Sequence, residues 1–135
     1  MAYQWIMATM KADTALMAAA LGGVWNGNAD IGTLDPYASF GRSSGSDVLT
    51  VNVVRLFTHI ILQIKAVGPV ANYAAIVTIA QRIDALFGRA DHVTLSTGGV
   101  LACWREQEIA YDEPLVNGVQ WSNLGGLYHV ELQGI

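Results

Sequence analysis

The chain has 135 residues, with 53% apolar, 13% charged and a formal net charge of −4. That is one domain's worth of chain, 1–135, and the charge balance excludes a protein that grips nucleic acid by neutralising phosphates. A typical soluble domain is about 25% charged, so the deficit implies that further copies or partners cover part of the apolar surface.

The start, Met-Ala-Tyr-Gln-Trp, lacks the basic region of a secretory signal. Gln4 to Leu21 reads as one helix, rich in Ala and Met and stopped at Gly22-Gly23. Ile6, Met10, Met17 and Leu21 share a face, with Trp5 and Leu16 beside it. Val24 and Trp25 start a short extended piece, and Asp30 to Pro36 is loop. Tyr37 to Gly41 suits a strand, and Arg42 to Asp47 a polar turn or a loop ordered on assembly.

Val48 to Val67 carries the most pattern. Leu49, Val51 and Val53 alternate with Thr50 and Asn52, then the phase flips at Val53-Val54. With no turn residues there, one long bent strand with a bulge is expected in preference to a tight hairpin. Arg55, His59, Gln63 and Lys65 interrupt the run, so a membrane span is rejected.

Gly68-Pro69 then opens a second helix to Gly88. Its expected apolar stripe is Val70, Tyr73, Val77, Ala80, Ile83 and Phe87, with Arg82 and Arg89 complementing the C-terminal dipole. Strands are expected over His92–Leu95, Val100–Ile109 and Gly126–Gln133, with Ser96 to Gly99 a turn, Ala110 to Gly118 loop and Val119–Ser122 extended. The order predicts an α+β fold: a mostly antiparallel β-sheet packed against two α-helices, with a long bent strand or hairpin.

Few residues point to chemistry. Three dispersed histidines, His59, His92 and His129, show no metal-ligand spacing. His129 with Glu131, or Glu106 with Glu108, share a strand face as solvated pairs do. Cys103 reads as a buried structural thiol, and one cysteine forms no internal disulfide. The glycine pairs Gly22-Gly23, Gly98-Gly99 and Gly125-Gly126 read as turns, lacking nucleotide-loop spacing. No catalytic residue, metal or cofactor is expected. Arg55, Arg105 and the tryptophans, Trp5, Trp25, Trp104 and Trp121, are residue types enriched in interface hot spots.

Ile6–Leu16 with its Met-Lys-Ala-Asp core, Gly22–Gly27, Asp35-Pro36-Tyr37-Ala38-Ser39-Phe40-Gly41, the strand Val48–Arg55, the helix Val70–Gly88 and the close Gly125–Leu132 follow one another in a characteristic order. That order resembles the tail-completion family of phage proteins, which includes the tail terminators of siphophages. The stretch Thr58–Val67 departs from the family, which often has a shorter polar insertion there.

The resemblance implies a structural, non-enzymatic virion protein. It implies a homo-oligomeric ring, commonly a hexamer, at the head-proximal end of the tail tube. Such a ring halts tube polymerisation and joins the tail to the head connector or neck protein. DNA passes through its lumen without specific binding, no membrane is involved, and the subunit resides in host cytoplasm before assembly. Trp25, Tyr37, Arg42, Arg55, His59, Trp104, Arg105 and Tyr128 are the expected subunit or partner interface. The alternatives are another neck, head-completion or tail-tube-like ring, or a small α+β enzyme with a pocket around His59, Arg55 and Trp104.

Overall fold

Alternating side chains build one six-stranded sheet in the computed structural model, which describes residues 2–27, 34–49, 55–95 and 98–133. The strands are β1 (Val24–Asn26), β2 (Tyr37–Leu49), β3 (Arg55–Pro69), β4 (Arg89–Leu95), β5 (Gly98–Asp112) and β6 (Trp121–Gln133). Their order across the sheet is β1-β2-β3-β6-β5-β4, antiparallel except for β1 with β2. Helices α1 (Ala2–Ala12), α2 (Thr14–Ala19) and α3 (Tyr73–Phe87) complete the α+β fold, with a 3-10 turn at Val70–Asn72 before α3.

The helices cover one face of the sheet. Ile60, Leu62, Ile64 and Ala66 of β3 and Tyr128, Val130 and Leu132 of β6 point into that core. Ile76, Ile79, Ile83 and Phe87 of α3 and Ile6, Met10 and Leu16 close it. Each such large side chain contributes about 1.5–3 kcal/mol, so packing holds the short helices more than propensity does.

Several expectations are corrected. The N-terminal helix is broken at Asp13, whose extended backbone (φ −84°, ψ 110°) caps α2. Its Oδ1 accepts from the Leu16 N–H at 2.8 Å, and its carboxylate also takes both arms of Arg82. Arg82 therefore clamps α3 to the α1–α2 break instead of complementing a dipole. The α3 stripe is rotated: Val70 and Tyr73 are exposed, because the helix proper begins only after the 3-10 turn. Pro69 ends β3 and caps that turn.

The long-strand expectation for Val48–Val67 is also replaced. β2 runs on through the polar segment to Leu49 and pairs back on β3, with Leu49 opposite Arg55. This is a hairpin. Its connection, and the phase flip at Val53-Val54, lie outside the described residues, as do Asn28–Thr33 and Ser96-Thr97; the other half of the turn expected over Ser96 to Gly99, Gly98-Gly99, is strand and opens β5. Arg42–Asp47 is strand because backbone hydrogen bonds to β3 hold it, with a register shift between Arg42 and Ser44.

The pieces expected separately over Val119–Ser122 and Gly126–Gln133 meet in one strand that begins at Trp121, and β5 extends to Asp112. Gly125-Gly126 is not a turn. A Cβ on Gly125 would land on the Ile64 carbonyl oxygen and lie 2.5 Å from Lys65 Cα, so glycine permits a close approach in mid-sheet. A register shift between Val100 and Ala102 lets Val100 and Cys103, three apart, both face the core.

Candidate functional site

The sheet face away from the core carries polar positions of β3, β5 and β6. Register sets His59 opposite Glu131, Ile61 opposite His129, and His129 opposite Trp104. The result is a connected group. Glu106 Oε1 lies 3.0 Å from His129 Nδ1, so that nitrogen donates to the carboxylate. His129 Nε2 is then a lone pair, 2.6 Å from His59 Nδ1. His59 Nδ1 is also 3.6 Å from Glu131 Oε1. Trp104 stacks flat on His129, with centroids 4.2 Å apart and planes 9° apart.

The group is half-buried among its own members: His129 is 14% exposed, Glu131 24% and His59 28%. His59 and Trp104, two members of the enzyme alternative, do converge, both on the His129 ring. The side chain of Arg55, the third member of that alternative, lies outside the described residues. His129, Glu131 and Glu106 are missed as a site by sequence reasoning. Each is only a polar residue in an alternating strand, and pairing across three strands brings them together.

The other expected interface residues are dispersed. Trp25 is 36% exposed at the sheet edge, its indole N–H bonded to the Gly22 carbonyl at 2.7 Å. Tyr37 is half-buried beside Trp121, with centroids 6.3 Å apart. Arg42 is exposed on β2. Arg105 reaches Asp84 of α3 at 3.5 Å. Tyr128 is buried in the chain's own core, its hydroxyl donating to Asp84 at 3.4 Å, so it offers no surface to a partner. Burial, with Asp84 nearby, pushes its phenol pKa upward.

Exposed large apolar side chains gather elsewhere, at the end of the sheet where β3 stops and β6 starts. Leu34, Val70 and Leu115 line one hollow there, and Val70, Tyr73 and Tyr111 line a second. Val116 is exposed in the adjoining loop. Among the described residues, no helix is long and apolar enough to cross a membrane.

No protein-family model and no curated protein matches the chain. A solved structure described as "Virion of native gene transfer agent (GTA) particle" does contain a chain of the same fold. The TM-score is 0.68 over 96% of this chain and 92% of that chain, at 18% identity. At that identity the likeness shows the fold alone.

Proposed function

We propose that this chain is a structural subunit of a phage-like particle. In this reading it is a tail-terminator-like protein that closes into a ring of about six copies at the head-proximal end of the tail tube. It ends tube polymerisation and joins the tail to the head connector, without catalysis. The observation that carries the reading is the near end-to-end likeness to a chain in a gene transfer agent virion. The order of sequence features from Ile6 to Leu132 supports it independently.

The physics agrees. A closed ring buries two different patches head to tail, which suits a chain with 13% charged residues and an exposed apolar end. A net charge of −4 suits a lumen through which DNA slides without sticking. Another neck ring, or a tail-tube-like subunit, would share these features, so the experiment must separate them.

Light scattering with mass analysis is expected to give a discrete particle of about six times the 14.5 kDa chain mass. Added to polymerising tube protein, the ring is expected to shorten and cap the tubes seen by electron microscopy. Long fibres formed by this chain alone would replace the terminator with a tube subunit. A monomer at high concentration that also leaves tube length unchanged would end the ring reading.

A further inference from the structure

We propose that His59, His129 and Glu131 form a binding site for a divalent transition-metal ion of the zinc type, with Glu106 as the carboxylate that orients His129. The ligand atoms of the three residues all lie within 4.8 Å of one another. Two imidazoles and one carboxylate favour zinc, copper or nickel over magnesium or calcium, which prefer all-oxygen shells.

The His129 tautomer is already set for coordination. Glu106 holds the proton of His129 on Nδ1, which aims the Nε2 lone pair at His59. A ligating histidine that gives its other N–H to a carboxylate is the usual outer-shell arrangement of metal sites. Without metal, the short contact between the rings is completed by a single proton on His59 Nδ1. The ion takes the place of that proton, which moves through water to His59 Nε2, so the ring stays neutral and ligates through Nδ1. Metal–nitrogen bonds of about 2.0–2.1 Å at a tetrahedral centre place two nitrogens roughly 3.3 Å apart. The present 2.6 Å must therefore open by about 0.7 Å. Trp104 holds His129 by stacking, and His59 is the more exposed of the two rings.

Glu131 swings the remaining distance from 3.6 Å as the third ligand, and water completes the shell. The two carboxylates, Glu106 and Glu131, offset the charge of a dication. The site also ties β3, β5 and β6 together across the open face, so its occupation stabilises the sheet by mass action. None of this depends on the proposed assembly role.

The test is isothermal titration of the full chain with zinc at neutral pH, with magnesium as the control ion. One zinc per chain is expected, with a rise in melting temperature. His59→Gln and His129→Gln are expected to lose at least 100-fold in affinity. Glu106→Gln is expected to keep the stoichiometry and lose about 10-fold, as outer-shell changes do. Copper, a quencher of nearby indoles, is expected to quench the wild type more than Trp104→Phe. Circular dichroism identifies any variant that fails to fold, and His59→Gln, at the more exposed ring, is the one to rely on then. Equal zinc uptake by wild type and His59→Gln, or an equal response to magnesium, overturns the site.

Discussion

Asp13 shows how one residue can set a local structure that its neighbours do not announce. Its carboxylate does two jobs, capping α2 through the Leu16 N–H and receiving Arg82 at 2.5 Å. The Arg82 hydrogen bond, with the cap beside it, holds the Asp13 carboxyl below its usual value near 3.8. A depressed carboxylate stabilises the folded state above its unfolded pKa, and that stability is lost as pH falls through the lower folded pKa. Urea unfolding should therefore show Asp13→Ala less stable by about 1 kcal/mol or more at neutral pH, the typical cost of a lost cap. Asp13→Asn keeps a capping oxygen and should fall between the two. Its stability should also vary less below about pH 4, where the wild type is losing its ion pair. Cys103 makes the complementary case. Burial pushes its thiol up to about 12, and Sγ lies 3.2 Å from the Phe87 carbonyl it donates to. A thiol reagent at pH 8 should leave the folded protein unmodified and react at the rate of unfolding.

At the scale of elements, strands with alternating apolar residues were legible and strands held by backbone alone were not. β3 from Thr58 and the end of β6 follow from period two, because one face of each is core. Arg42–Asp47 carries turn-forming residues yet lies in β2, since its ladder with β3 is blind to side-chain type. The break at Asp13 was hidden because its partner is 69 residues away. The histidine cluster was hidden for the same reason, its members being contributed by three strands whose register no local pattern states. Gly125 is the sharpest of these cases. Two glycines in a row read as a turn, but here Gly125 lets β3 and Gly126 lets β5 approach β6 closely in the centre of the sheet. Gly125→Ala would drive a methyl group into the β3 backbone, which cannot move aside as a flexible side chain would. The expected cost is about 3 kcal/mol or more, at the top of the range for overpacking. Chemical denaturation checks it, and a loss under 1 kcal/mol would mean that the strands can separate there without harm.

For the whole molecule, the two ends of the sheet differ in kind. The hairpin end carries the polar cluster, whereas the other end gathers Leu34, Val70, Tyr73, Tyr111, Leu115 and Val116. Apolar side chains scattered singly need no explanation, but a group rimming adjoining hollows marks a contact surface. If copies close into a ring, this end is the surface with most to gain from being covered. Leu115 tests that without touching the core, being 68% exposed in the loop between β5 and β6. Leu115→Glu should leave the chain's own stability within about 0.5 kcal/mol, as surface changes usually do. It should nonetheless shift the mass measured by light scattering from the ring toward the monomer, because a carboxylate would have to be desolvated at each junction. Glu106→Gln, at the opposite end of the molecule and tuned to the metal site, should leave that mass unchanged. If Leu115→Glu assembles as the wild type does, the apolar end faces something other than a second copy. The tube or the connector would then be the surface to probe with the same variant.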